Sequence, residues 1–247
     1  MLLAIDIGNT NIVIGIFKGK RIHKRLRLKT ESTCLDIKRR LKGAVGFKKK
    51  AFEAVIISSV VPGLSKKITG IVRDLLKIEP LLLGKDIRVP IKNLYKNPKQ
   101  VGQDRLVNSY ACLKLYGTPA IIIDFGTATT FDYIDSNGAY AGGLITPGVE
   151  ATIDALANRA ALLPRIKLDK PKALLGKDTA ESIRSGIVYG LTSMCNGIVD
   201  KLKKRYKKRP IVVATGGLAG FFAPHCKDID RIDKDLTLKG LSLLIRL

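Results

Sequence analysis

Two aspartate–glycine turns carry the residue types that phosphate chemistry needs. The first is Asp6-Ile7-Gly8-Asn9-Thr10 and the second is Asp124-Phe125-Gly126-Thr127. Glycine lets the backbone approach a phosphate closely, the adjacent Asn and Thr side chains are short polar donors, and an aspartate at a strand end can hold a hydrated Mg²⁺. Phosphoryl transfer uses such groups together with a carboxylate that orients the accepting hydroxyl. The turns therefore indicate a phosphoryl-transfer site, although one such turn alone is equally well explained as ordinary hairpin chemistry.

A third carboxylate, Asp104, stands in the stretch Val101-Gly102-Gln103-Asp104-Arg105, just before an amphipathic helical pattern. From this stretch alone, Asp104 is explained most simply as a helix N-cap or as a partner of Arg105. As a functional residue it would accept the proton of a substrate hydroxyl, and the glycine-flanked helix start would suit an anionic substrate group. The sequence leaves both interpretations open.

The elements that must position these residues form a repeat. Residues 2–17 and 120–134 each contain two β-branched apolar runs joined by a polar turn, which predicts a β-hairpin in each half of the chain. The two aspartates are separated by as many residues as the two glycines that follow them. Two copies in the same register favour a duplicated α/β unit.

Other segments connect these hairpins. Further strands are predicted at 54–61 and 211–214, and residues 84–101, with two prolines and no periodicity, predict a surface loop. Thr215-Gly216-Gly217 is either a nucleotide-facing turn or a plain strand-to-helix connection. The glycine-rich stretch 142–148 has the same two interpretations.

A long helix is predicted around residues 183–202, because its apolar residues recur at intervals of three and four. A second stripe of this helix consists of small residues, and each glycine there costs about 1 kcal/mol relative to alanine. The stripe suggests close approach by another backbone, from the same chain or from a second subunit. The apolar residues are Ile183, Ile187, Leu191, Met194, Ile198 and Leu202, and the small ones are Gly186, Gly190, Ser193 and Gly197.

The composition excludes several classes of protein. With 247 residues, of which 46% are apolar, the chain can bury a substantial core and is not disordered. The longest nearly uncharged apolar stretch, 210–224, is too short for a membrane span, and the first ten residues lack the basic region of a signal peptide. Four widely spaced cysteines and two histidines argue against a zinc site or a disulfide framework. We therefore expect a cytoplasmic protein with reduced thiols and no membrane partner.

The net charge of +23 favours anionic partners, among them nucleotides and phosphorylated metabolites. The densest basic run, Lys201–Arg209, is typical of a solvated helix end, where cations suit the helix dipole. The chain has no tryptophan and no interleaving of basic with aromatic residues, which argues against single-stranded nucleic acid. A nucleic-acid partner is therefore not expected.

Four motifs, in this order and spacing, resemble those of the type III pantothenate kinases, which belong to the acetate and sugar kinase, Hsp70 and actin superfamily. The resemblance spans the whole chain. It implies an α/β fold of two ribonuclease-H-like domains, a duplicated actin-like ATPase fold, with the active site in the cleft between them, and we expect the domains at residues 1–116 and 117–247. The implied reaction is ATP-dependent phosphorylation of pantothenate to 4′-phosphopantothenate, the first step of coenzyme A biosynthesis. The motifs are Asp6-x-Gly8-Asn9-Thr10, Gly102-x-Asp104-Arg105, Asp124-x-Gly126-Thr127 and Thr215-Gly216-Gly217.

The same resemblance implies roles for individual residues. Asp104 would be the catalytic base, Asp124 would hold K⁺ or NH₄⁺, and Asp6 would hold Mg²⁺ through water. The ATP site would consist of Asp6, Ile7, Gly8, Asn9, Thr10, Asn11, Ile12, Val13 and Thr127. The pantothenate site would consist of Tyr95, Gly102, Gln103, Asp104, Arg105 and Thr179.

The resemblance further implies a homodimer, in which Thr179 reaches the pantothenate site from the partner subunit. Asp178, beside Thr179, departs from the family pattern, which more often has Asn there. The added negative charge could alter the affinity for anionic pantothenate.

Two other functions stay open from the sequence. A related kinase could phosphorylate another small hydroxylated metabolite, although Tyr95, Asp104 and Thr179 together favour pantothenate. A non-catalytic relative could regulate transcription by binding DNA, but it would be expected to lose at least one of the three aspartates. No helix-turn-helix or zinc-finger pattern is visible in the sequence.

Overall fold

Each half of the chain forms a mixed five-stranded sheet with helices packed against it. The computed structural model describes residues 1–46, 51–207 and 209–246. The chain divides into two compact units, the first made of Met1–Lys114 together with Asp235–Leu247 and the second of Leu115–Lys234.

The first sheet has the order β3-β2-β1-β4-β5. Its first three strands form an antiparallel meander, while β4 runs parallel to β1 and β5 runs parallel to β4. The hairpin predicted from residues 2–17 is thus confirmed. The strands are β1 (Leu2–Ile7), β2 (Asn11–Lys18), β3 (Arg21–Lys29), β4 (Ala54–Ser59) and β5 (Leu81–Leu82).

The second sheet repeats this topology with its own strands, in the order β10-β9-β6-β7-β8. Again an antiparallel meander, β6 to β8, is extended from its first strand by two parallel neighbours. The duplicated α/β unit predicted from the two turns is therefore confirmed. The strands are β6 (Ala120–Phe125), β7 (Ala128–Ile134), β8 (Tyr140–Pro147), β9 (Ile211–Thr215) and β10 (Arg231–Ile232).

Local signals set where several helices begin. The Thr33 hydroxyl accepts a hydrogen bond from the Asp36 N–H and so caps the first helix, and Pro62 occupies the first turn of the second. The helix predicted around residues 183–202 is confirmed and longer than expected. The helices are α1 (Cys34–Val45), α2 (Pro62–Leu76), α3 (Gln103–Tyr116), α4 (Val149–Arg159), α5 (Thr179–Tyr206), α6 (Ala219–Phe222) and α7 (Leu236–Leu244).

Alternation along β1 gives the first sheet two differently covered faces. Leu3, Ile5 and Ile7 belong to the core that α1 and α2 complete. Leu2 and Ala4 belong to a second cluster, which includes residues of α3 and α7. Asp6 follows Leu2 and Ala4 in this alternation, so it lies on the face that α3 and α7 cover.

The C-terminal helix packs on the first unit, although it follows the second unit in the chain. A Cβ atom at Gly15 of β2 would lie 3.0 Å from Leu238 Cδ1, and one at Gly240 would lie 2.8 Å from the Val107 carbonyl oxygen of α3. The compact units therefore divide the chain differently from the expected boundary at residues 116 and 117, because residues from Asp235 onward return to the first sheet.

Two further predictions concern the loop before α3 and the glycine stripe of α5. The segment 84–101 contains one short helical turn, Pro98–Gln100, and is otherwise irregular, as expected. Along α5, a Cβ atom at Gly186, Gly190 or Gly197 would meet no atom within 4 Å, the helix's own backbone aside, among the described residues. Within that part of the chain, no other backbone approaches the glycine stripe. No helix in the described ranges is both long and apolar enough to span a membrane.

Candidate active site

Asp6 lies near the carboxyl end of β1, between β2 and β4. It is in register with Val13 of β2 and with Ser58 of β4, and its side chain is partly buried. The Ser58 hydroxyl hydrogen-bonds the Asp6 carboxylate. The central strand of the sheet thus holds this carboxylate at a fixed place.

The surroundings of Asp6 disfavour its charged form. Burial and the nearby negative charge of Asp104 raise the pKa of Asp6 from its ordinary 3.8 to about 7, and the hydrogen bond from Ser58 opposes this rise. A cation bound beside Asp6 would offset both unfavourable effects. Asp6 and Asp104 therefore interact electrostatically.

The turn after Asp6 is closed by one backbone hydrogen bond and one side-chain hydrogen bond. The Gly8 N–H donates to the Asn11 carbonyl (2.9 Å), and the Thr30 hydroxyl donates to the Gly8 carbonyl (2.7 Å). Asn9 and Thr10 are exposed at its tip. The turn thus presents polar groups to solvent from a rigid base.

Not every residue of the predicted ATP segment can offer its side chain. Ile7 and Ile12 are fully buried in the core of the first unit. Asn11 and Val13 are partly buried. The isoleucines can contribute only backbone groups to a ligand site.

Asp104 lies within the first turn of α3, not ahead of the helix as an N-cap would. A Cβ atom at residue 102 would collide with the Asp104 carboxylate, so only glycine at that position allows this conformation. The Leu106 N–H donates to the Gly102 carbonyl (3.2 Å), which continues the helical turn. The carboxylate is thereby folded back toward the start of the helix.

The neighbours of Asp104 anchor the start of α3. Arg105 is buried, with 7% of its surface exposed, and the Gln103 side chain lies 3.5 Å from the Cβ position of Gly84. Tyr95 is partly buried in the preceding loop, where its N–H donates to Asn93 Oδ1 (3.0 Å). The structure thus brings Gly102, Gln103 and Arg105 together with Asp104.

Helix α7 fixes α3 from the other side. The Thr237 hydroxyl and Asn108 Oδ1 are hydrogen-bonded at 2.7 Å, and Gly240 lies against Val107. Both contacts hold α3 about one turn after Asp104. The placement of Asp104 therefore depends on residues near the other end of the chain.

In the second unit, Asp124 occupies the position on β6 that Asp6 has on β1. It is in register with Thr130 of β7 and Thr215 of β9. Gly216 has a φ of +92°, a conformation that favours glycine, and its Cβ position is filled by the Asp124 carboxylate and by Phe125 backbone atoms at 2.7 Å. A carboxylate and the Phe125 carbonyl oxygen therefore lie together at this turn.

Thr127 is exposed in the turn between β6 and β7. Gly148 packs on this turn, since its Cβ position lies 2.7 Å from the Gly126 carbonyl oxygen. Thr127 is thus held on a well-packed turn of the second unit.

Thr179 is the exposed first residue of α5. The carboxylate of Asp178 caps the helix, accepting a hydrogen bond from the Glu181 N–H (2.8 Å). A mostly apolar cavity of about 580 Å³ begins at Thr179 and extends along α4 and α5 past Gly186 and Gly190. Asp178 therefore has a structural role as the N-cap of α5.

Sequence reasoning missed Ser58, the hydrogen-bonding neighbour of Asp6. A serine near the end of a predicted strand carries no signal by itself. Its relation to Asp6 depends on the parallel pairing of β1 with β4, which joins residues far apart in the chain.

The residues around Asp6 and Asp104 suit a hydrated divalent cation. Among the described residues, no group of three or more His, Cys, Asp or Glu side chains could enclose a metal. Mg²⁺ is often held by one or two carboxylates while keeping several waters and binding phosphate oxygens. The two carboxylates, with the raised pKa of Asp6, fit this kind of binding.

Comparisons with known proteins agree on one family. A family model described as type III pantothenate kinase matches residues 2–201. A type III pantothenate kinase of Moorella thermoacetica is 44% identical, covering 99% of this chain and 98% of its own. One of Halalkalibacterium halodurans is 41% identical, covering 100% and 99%.

Solved structures support the fold class. A candidate Baf family transcriptional activator from Campylobacter jejuni aligns with a TM-score of 0.62 at 20% identity, covering 99% of this chain and 97% of its own. The activator of 2-hydroxyisocaproyl-CoA dehydratase from Clostridium difficile, solved with bound ADPNP, aligns with a TM-score of 0.53 at 15% identity, covering 97% and 91%. At these identities the likeness concerns the fold alone, and the predicted two-domain ATPase fold class is confirmed.

The raised pKa of Asp6 leads to a prediction about stability. The pKa of an unfolded aspartate is about 3.9, so between about pH 4 and pH 7 the folded state binds more protons than the unfolded state. Protonated Asp6 therefore leaves the folded state at full stability below about pH 4, and this stability is lost as the pH rises through the folded pKa of about 7. Asp6→Asn removes the ionisation and should stabilise the ligand-free protein by about 2–4 kcal/mol at pH 8. Urea denaturation without divalent metal measures this difference.

The stability gained by Asp6→Asn should shrink toward zero at pH 4, where Asp6 is largely protonated in the folded state and about half protonated in the unfolded state. Asp74→Asn on the exposed side of α2 is the matched control and should show no such pH dependence. An Asp6→Asn variant less stable than the wild type at pH 8 would contradict the prediction.

Proposed function

The chain belongs to the type III pantothenate kinase family, and we propose that Asp6 and Asp104 form the centre of its reaction, the ATP-dependent phosphorylation of pantothenate to 4′-phosphopantothenate. This reaction is the first step of coenzyme A biosynthesis. The observation that carries the assignment of residues is the electrostatic interaction between the two carboxylates, one near the end of β1 and the other in the first turn of α3. Asp6 precedes the glycine turn proposed to bind phosphate, and Asp104 lies in the first turn of the helix proposed to bind the substrate.

Asp104 is the base that orients the pantothenate hydroxyl toward the γ-phosphate. A carboxylate is a weak base for an alcohol, but phosphoryl transfer has a loose transition state and depends mainly on positioning and charge neutralisation. Its rigid position in the first turn of α3, folded back over Gly102, supports this role. Tyr95, Gly102, Gln103 and Arg105 line the pantothenate site around it.

The turn from Asp6 to Val13 surrounds the ATP phosphates, and Thr127 is a further predicted contact to ATP. Backbone groups of this turn and the exposed side chains of Asn9 and Thr10 are its donors. Asp6 would hold Mg²⁺ through water, where the ion neutralises phosphate charge. The net charge of +23 attracts both anionic substrates.

Asp124 would hold the monovalent cation, K⁺ or NH₄⁺. Its carboxylate lies beside the positive-φ turn at Gly216 and near the Phe125 carbonyl oxygen, and oxygen ligands suit an alkali ion. The equivalent carboxylates of the two units therefore have different cation partners.

The protein acts as a homodimer in the cytoplasm, where ATP is available, and Thr179 reaches the pantothenate site of the partner subunit. Two observations support the dimer: the glycines of α5 have open space at their Cβ positions, and the apolar cavity beside them extends to Thr179. A second copy packing along α5 would cover both features.

Asp104→Asn should lower kcat by about 100-fold or more, because the variant can no longer accept the hydroxyl proton. ATP binding should stay nearly unchanged, since the phosphate turn is intact. ADP release from ATP and Mg²⁺ in K⁺ buffer, with and without pantothenate, measures the first effect and calorimetry the second. Asp74→Asn, an exposed charge change in the same unit, is the control. A near-normal rate for Asp104→Asn would refute the base assignment, and wild-type turnover independent of pantothenate would refute the acceptor.

Asp124→Asn should abolish activation by K⁺. The wild type should release ADP faster in K⁺ than in Na⁺ buffer, while the variant should show the same low rate in both. Asp200→Asn, an exposed charge change on α5, should keep the wild-type ratio. If Asp124→Asn kept its K⁺ dependence, the cation would bind elsewhere.

Gly190→Leu should convert the dimer to a monomer, because the leucine would occupy the space that the partner helix needs. Sedimentation velocity at several concentrations measures this change. Gly43→Leu on α1, also an exposed helical glycine with open Cβ space among the described residues, is the control and should leave the dimer intact. An unchanged dimer in Gly190→Leu would move the interface away from this stripe.

A further inference from the structure

Ser58 is a buried polar residue beside Asp6 that the roles described so far leave out. It lies on β4 in register with Asp6 of β1, and 2% of its surface is exposed. Alternation along β4 places Ser58 on the same face as Ile56, which packs with Ala4 of β1 in the cluster under α3 and α7. The two side chains therefore point to the same side of the sheet from adjacent strands.

The hydrogen bond between them restricts the Asp6 carboxylate. The terminal torsion of an aspartate is broad and roughly two-fold, so a carboxylate at a strand end has no single preferred orientation of its own. A hydroxyl on the neighbouring strand, which pairs with β1 along its whole length, supplies a donor at a fixed position. Hydrogen bonds to a carboxylate are charge-assisted and strong enough to select one orientation.

We propose that Ser58 is a positioning residue, which holds the Asp6 carboxylate in the orientation that binds hydrated Mg²⁺ beside the nucleotide. The proposal rests on the function proposed above, in which Asp6 holds Mg²⁺ through water. Outer-shell partners of metal ligands change metal affinity by about 10–100-fold when they are removed. Ser58 has this relation to the metal, because it acts through Asp6.

The adjacent serine provides a matched comparison. Ser59 lies on the opposite face of the same strand, and its hydroxyl accepts from the Val61 N–H (3.0 Å) and donates to the Val61 carbonyl (3.1 Å). These bonds shape the turn before α2 and do not reach Asp6. Ser59 thus shows what a purely structural serine in this strand does.

The test is nucleotide binding as a function of Mg²⁺ concentration, measured by calorimetry with the non-hydrolysable analogue ADPNP. We expect Ser58→Ala to need about 10-fold more Mg²⁺ for half-maximal binding, while binding in EDTA stays at the wild-type level. Ser58→Thr keeps the hydroxyl and should restore the Mg²⁺ requirement. Ser58→Cys nearly keeps the side-chain volume but has a weaker hydrogen-bond donor, so its Mg²⁺ requirement should rise as in Ser58→Ala. If the alanine variant fails to fold, the cysteine variant tests the proposal.

Ser59→Ala should lower the urea midpoint but leave the Mg²⁺ requirement unchanged. An equal Mg²⁺ requirement in wild type, Ser58→Ala and Ser58→Cys, with a raised requirement in Asp6→Asn, would overturn the role of Ser58 alone. Equal loss of binding with and without Mg²⁺ in Ser58→Ala would show a structural role and overturn it too. Wild-type binding with no Mg²⁺ dependence would overturn the roles of both Asp6 and Ser58.

Discussion

The first unit holds two interacting carboxylates, Asp6 and Asp104, although their mutual repulsion and the burial of Asp6 disfavour the charged form of Asp6. Asp6 sits in the central strand of a sheet, where burial and the charge of Asp104 raise its pKa to about 7. The sheet can hold it there because β1 is paired on both sides along its whole length. A site of this kind stores unfavourable electrostatic energy in the ligand-free protein, and a bound cation releases it.

The second unit has the same sheet topology, but the turn that follows its aspartate differs. The Gly8 N–H bonds to the carbonyl three residues later, whereas the Gly126 N–H bonds to the carbonyl two residues later, so the second turn is one residue tighter. The tighter turn lies beside Gly216, and the Asp124 carboxylate fills the space between them. The same hairpin topology thus gives a turn with exposed Asn9 and Thr10 in the first unit and a tighter turn, packed against an aspartate carboxylate, in the second.

Much of this arrangement could be predicted from the sequence, because it depends on local patterns. Branched apolar runs around Gly8 and Gly126 specify the hairpins, and the repeat of their spacing specifies two similar units. Ser58 and the return of α7 could not be predicted, since both depend on pairing between distant segments. Asp104 is an intermediate case, because the sequence pattern predicted its helix but did not show that the helix begins at Gln103, which places Asp104 inside the first turn.

The position of α7 explains why the first unit is built from both ends of the chain. Helix α3 carries Asp104 on its first turn, and a single helix on a sheet can slide unless another element fixes it. Gly240 allows α7 to approach the α3 backbone at Val107, and Leu238 packs over Gly15 of β2 at the same time. Helix α7 therefore touches both the sheet that carries Asp6 and the helix that carries Asp104. Because protein interiors are close-packed and resist small displacements, this three-way contact holds α3 in place against the sheet.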